Sequence, residues 1–103
     1  MGLTRISRKY FHIDVTPLNA AGQVITIPGV DVALLPIDTY PTGATVWTPV
    51  LYSNNTASVL LAGPDANLAA GAIRVTTAVD IWIRVTDNPE IDAQLAGRVR
   101  VIG

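Results

Sequence analysis

His12 is the only histidine in the chain, and there is no cysteine. A general base of the usual kind therefore has one candidate, and a thiol nucleophile, a disulfide or a zinc–thiolate site has none. His12 falls on the polar side of an alternating stretch, where packing or solvation accounts for it. A transition-metal site would have to be built almost wholly from carboxylates. The densest are Asp87, Glu90 and Asp92. Their oxygens suit a hard cation such as calcium, but their spacing does not match the twelve-residue calcium loop, and helix capping accounts for Asp87 and Glu90 without a metal. Glycoside hydrolysis needs two carboxylates across a cleft; eight scattered Asp and Glu residues always offer some pair, so that pattern carries no weight. No serine stands in a nucleophile elbow. Gly63 and Gly71 are too far apart, and lack the flanking lysine, for a phosphate loop. The expectation is a non-enzyme with no catalytic residue, no metal and no cofactor.

The aromatic side chains carry a stronger signal. Trp82 alternates with Ile81 and Ile83, so it points to the second face of its strand. Trp47, Tyr40 and Tyr52 lie in or beside a loop-and-edge region. Such rings on a flat β face serve as anchors in a protein interface or stack on sugars, or simply lid a core. Arg5, Arg8 and Lys9 form the one basic cluster, suited to carboxylates on a neighbouring chain. Trp47, Tyr52 and Trp82, with Arg5, Arg8 and Lys9, are the candidate interface residues.

The chain that must position these groups is short and weakly charged. Fifteen of its 103 residues are charged and half are apolar, against roughly a quarter charged in an average domain. A domain this small buries only about 60–70% of the surface of its unfolded chain. The charges are too few to cover the rest in the usual way, so part of the apolar excess is expected against another protein chain. A net charge of −1 gives no pull toward nucleic acid or an anionic membrane. No stretch approaches the roughly 18 apolar residues of a membrane span, and the polar, basic first ten residues do not read as a signal peptide. Asn54-Asn55-Thr56 fits a glycosylation acceptor, but reads as a turn in the absence of a secretion signal.

Val, Ile and Thr make up 33 of the residues. β-Branched side chains favour pleated surfaces, and Gly and Pro punctuate the chain at short intervals. Residues 1–9 read as an extended N-terminal arm, and 10–103 as a single β domain. Strands are expected at Tyr10–Thr16, Val24–Ile27, Val30–Leu35, Val46–Tyr52, Ser58–Ala62, Ala72–Thr76, Val79–Thr86 and Arg98–Ile102. Turns are expected at Asn19–Gly22 and Asn54-Asn55, a loop at Asp38–Ala44, and a loop or single helical turn over Gly63–Gly71. Pro49 puts its strand at an edge or a bulge. In the clearest strand Ile81, Ile83 and Val85 point inward, and Asp80, Trp82, Arg84 and Thr86 outward. Asp87 to Gly97 carries helix signals: Asp87 or Asn88 as cap, Pro89 at the first position, Ile91 and Leu95 four apart, and Gly97 as the stop. The expected fold is all-β, an antiparallel sandwich or barrel of about seven or eight short strands with one short helix near the C-terminus.

The run Tyr10-Phe11-His12-Ile13-Asp14-Val15-Thr16-Pro17-Leu18 resembles the opening of small virion-associated proteins of tailed bacteriophages, especially those infecting actinobacteria. Val46-Trp47-Thr48-Pro49 with Val59–Ala66 is similar to their middle, and Asp80–Ile91 to their end. The resemblance covers most of residues 10–101 and contains no motif of known chemical role. It implies a virion structural part assembled in the host cytoplasm: a capsid decoration or minor capsid protein, or a tail or head–tail component. Its partners would be further copies of itself, a trimer among the options, and other virion proteins such as the major capsid or tail proteins. A second reading, from a different class, is a carbohydrate-binding module that touches a host surface through Trp82.

Overall fold

The computed structural model describes residues 2–16, 21–23, 29–68, 71–87 and 90–102, with the backbone alone for 86, 87 and 90–92. The expected strand Val24–Ile27 and the first half of the turn expected at Asn19–Gly22 lie outside these residues. Among the described residues there are eight strands: β1 (Gly2–Thr4), β2 (Arg8–Asp14), β3 (Val30–Pro36), β4 (Thr48–Ser53), β5 (Thr56–Ala62), β6 (Ile73–Arg74), β7 (Val79–Asp87) and β8 (Glu90–Ile102). They form one sheet in the order β1-β8-β7-β3-β4-β5-β2, with β6 beside β5. The sheet curls into a nearly closed barrel. Its inner face follows the alternation in the sequence: Ile13 on β2, Val30 and Val32 on β3, Ala57, Val59 and Leu61 on β5, Ile81 and Ile83 on β7, and Val99 on β8.

Turn chemistry fixes the hairpin β4–β5. Ser53 pairs with Thr56, leaving Asn54 and Asn55 as a two-residue link. Both have positive φ, 51° and 61°, as a type I′ turn requires and as Asn tolerates.

Two expectations are corrected. The sheet is mixed, because β1 runs parallel to β8 and β6 parallel to β5. The helix expected within Asp87–Gly97 is absent: Glu90 to Gly97 belong to β8, with Asp87 paired to Glu90. A spacing of four marks one side of a helix, but it is also an even number and so marks one face of a strand. A single short helix with one apolar stripe is marginal alone, whereas β7 offers a full-length antiparallel partner. Gly97, expected to stop the helix, lies in the strand beside a register shift opposite Ile81/Trp82. Residues 2–4, within the expected arm, form β1. Leu3 is fully buried in the core and Gly2–Thr4 pair with Arg100–Ile102.

The ends of the sheet meet at a seam. Residues 5–7 carry the chain from β1 to β2, and the Ser7 carbonyl accepts the Gly63 N–H. Higher up, Phe11 of β2 packs on Gly97 of β8, where an added methyl group would sit 2.8 Å from Phe11 Cζ. A side chain there would force the Phe11 ring to shift.

Candidate functional site

Two outward faces of the barrel gather the side chains that carry chemistry. The first covers β3, β7 and β8. Cross-strand register puts Asp31 beside Arg84, Ala33 beside Trp82 and Leu35 beside Asp80. Arg84 donates to the Asp31 carboxylate from Nη2 at 2.6 Å and Nε at 3.1 Å. The same guanidinium lies 4.9 Å from the centroid of Trp47, a cation–π contact supplied by the loop before β4. Tyr40, from the loop after β3, tilts over Trp82 with ring centroids 5.6 Å apart. The Trp82 indole N–H is buried and has no acceptor among the described residues. Leu95 stands opposite Trp82 on β8 and is 54% exposed.

The lower end of this face is an ion-pair knot. Asp80, on the outward side of β7, is 3% exposed. Its carboxylate accepts from Arg98 Nε at 2.8 Å and from the Asp38 N–H at 3.1 Å. Arg98 also reaches the Asp38 carboxylate at 3.5 Å. The hydrogen bond from Arg98 outweighs burial and holds the Asp80 carboxyl below its ordinary value. The acceptor fixes the backbone of Asp38 in its left-handed conformation, φ 64°, and so anchors the loop that delivers Tyr40.

The second face covers β2, β5 and β4, and it carries a groove of about 260 Å³. Pro49 explains its origin. β4 pairs with β3 over Thr48–Val50 and with β5 over Leu51–Ser53. Continuing the β4–β5 register would bring Pro49 opposite Leu60, but Pro has no N–H for the ladder. β4 leaves β5 there, and β6 joins β5 only at Leu61 and Ala62. The groove is the notch between them. Tyr10 and Leu60 line it with Pro49 and Leu51, and Thr48 and Ser58 add hydroxyl-bearing side chains. Tyr10 stacks nearly parallel to His12, with centroids 6.0 Å apart, and His12 Nδ1 lies 3.0 Å from Ser58 Oγ.

The six candidate interface residues do not form one site. Trp47 and Trp82 share the first face. Tyr52 turns inward, packs against the core and donates its hydroxyl to the Val15 carbonyl at 2.9 Å. Arg5 pairs with Asp65 of its own chain at 2.9 Å. Arg8 and Lys9 are exposed on β2, opposite Ala62 and Leu61. Sequence reasoning missed the groove, since it depends on where β4 departs from β5; the proline was its one visible sign. It also missed the pairing of Asp31 with Arg84, which needs the β3–β7 register.

His12 and Ser58 face each other across the paired strands β2 and β5. No group of three His, Cys, Asp or Glu residues that could hold a metal occurs among the described residues. The side chains of Asp87, Glu90 and Asp92 lie outside them. Among the described residues no helix is long and apolar enough to cross a membrane. Comparison of the chain with protein-family models, curated proteins and solved structures gave no match.

Proposed function

We propose that the protein is a non-enzymatic structural subunit that self-associates and attaches to a larger particle. The resemblance to small virion proteins of tailed bacteriophages supports a phage particle, with capsid decoration or a minor capsid role as the first reading and a tail or head–tail position as the second. The observation that carries self-association is the placement of the apolar excess. Tyr40, Val46 and Leu95 are each more than half exposed although the barrel has a filled core.

The face around Trp82 has the make-up of a docking surface. Interface hot spots favour Trp, Tyr and Arg, and here Trp47, Trp82, Tyr40 and Arg84 are held by one another before any partner arrives. Such preorganisation lowers the entropy lost on binding. Exposed Tyr40, Val46 and Leu95 supply the apolar contact beside them.

Light scattering over a range of concentrations tests the reading. The expected result is a mass at a multiple of 10.9 kDa that falls to one chain in the double variant Val46→Asp, Leu95→Asp. A wild-type chain that stays monomeric at every concentration would overturn self-association.

A further inference from the structure

We propose that the groove at the Pro49 notch is a binding site for one ring of an uncharged saccharide. The inference stands apart from self-association, because it rests on the face of the barrel opposite in character to the Trp82 cluster. The groove's lining contains no Asp, Glu, Lys or Arg side chain. A charged ligand would leave its ionic solvation there without a counter-charge, which disfavours it strongly. At about 260 Å³ the space is below that of drug-sized pockets, about 300–1,000 Å³, and suits a single ring.

The walls fit the two sides of a sugar. Tyr10, braced by its stack on His12, presents an aromatic wall against which an apolar C–H face can lie. Pro49, Leu51 and Leu60 extend that apolar surface. Thr48 and Ser58 offer hydroxyls that both donate and accept, matching the mixed character of sugar hydroxyls. The notch adds backbone. Among the described residues, no strand flanks Val59 and Leu60 on the side where β4 has left and β6 has not yet joined. Trp82, the residue named for sugar contact from the sequence, has Tyr40 tilted against it, whereas Tyr10 is 54% exposed.

The test uses the intact chain on an array of neutral and acidic glycans. Saturation-transfer NMR follows with glucose, galactose, mannose, N-acetylglucosamine and their short oligomers. The expected result is binding to at least one neutral sugar. Tyr10→Ala should weaken it about tenfold or more, Ser58→Ala should weaken it a few-fold, and Trp82→Phe should leave it unchanged. Circular dichroism of each variant establishes that the barrel is intact. The proposal falls if no neutral sugar binds at millimolar concentration, if only acidic glycans bind, or if Tyr10→Ala binds as well as the parent. It also falls if the signals of Tyr10 and Leu51 respond only to protein concentration, since the groove would then be a contact between copies.

Discussion

The two outward faces are built by the same alternation of side chains, yet they differ in where their polar groups find partners. On the β3–β7–β8 face nearly every group is answered from within. Arg84 sits between Asp31 and Trp47, Asp80 is gripped by Arg98 and Asp38, and Tyr40 covers Trp82. On the β2–β5–β4 face Tyr10 and Leu51 stand open, 54% and 73% exposed, beside a notch that a proline cuts into the sheet. The lesson is that aromatic content does not locate a ligand groove. The face richer in tryptophan has its rings and ions braced against one another, and the groove at the Pro49 notch lies on the face with one tyrosine.

Both faces depend on the seam that joins them, and there the largest effect is expected. Leu3 is fully buried although it lies in the first strand of the chain. Leu3→Ala should lower unfolding free energy by about 2–5 kcal/mol, as deletion of buried methyl groups does, measured by urea denaturation. A free arm would give no change. Gly97→Val drives a side chain into Phe11 and should cost about 1–3 kcal/mol by overpacking.

A contrast between the faces comes next. Arg84→Met removes the partner of the Asp31 carboxylate, in a pair whose side chains are 30% and 26% exposed. The loss should be about 1–3 kcal/mol, the typical effect of stranding a partly buried hydrogen-bonded group. Tyr10→Ala on the groove face should stay within about 0.5 kcal/mol, as surface substitutions usually do. Equal losses at the two sites would erase the distinction between a self-satisfied face and an open one.

Acid titration sharpens the same contrast at one residue. The Asp80 carboxyl lies below the ordinary 3.8 in the folded chain. Folding therefore gains stability from its ionised form. That gain is complete above the ordinary value and is lost as pH falls through the lower folded one. Asp80→Asn should flatten this part of the stability–pH curve. An unchanged curve would show that the Arg98 contact does not bias the proton.

Much of this was legible in the sequence, for reasons that differ by element. The inward set Ile81, Ile83 and Val85, the Asn54-Asn55 turn and the punctuation at Pro36 and Pro49 are local matters, decided within a few residues. β8 was not, because Ile91 and Leu95 satisfy two periods at once and only the presence of β7 chooses between them. Nor was β1, since a lone leucine ahead of the basic residues Arg5, Arg8 and Lys9 gives no local sign that the core takes it up. The groove lay furthest from view. Tyr10, Pro49 and Ser58 are far apart in sequence, and only the combined registers of β2, β4 and β5 bring them together.

The smallest expected effect is the most diagnostic of the Trp82 face. Replacing Trp82 by Phe removes part of a half-buried ring, which costs packing against Tyr40. It also removes an indole N–H that is buried without an acceptor among the described residues, and an unmade hydrogen bond of that kind carries a desolvation penalty of about 1–3 kcal/mol. The two terms oppose each other, so unfolding free energy should change by less than about 1 kcal/mol. Trp47 remains as the fluorescent reporter of unfolding. A loss well above that would mean that the indole N–H has an acceptor in solution, such as an ordered water beneath Tyr40. Self-association gives a separate readout of the same variant. If the Trp82 patch docks a second copy as a rigid platform, the smaller ring should weaken association while leaving the single chain nearly as stable as before.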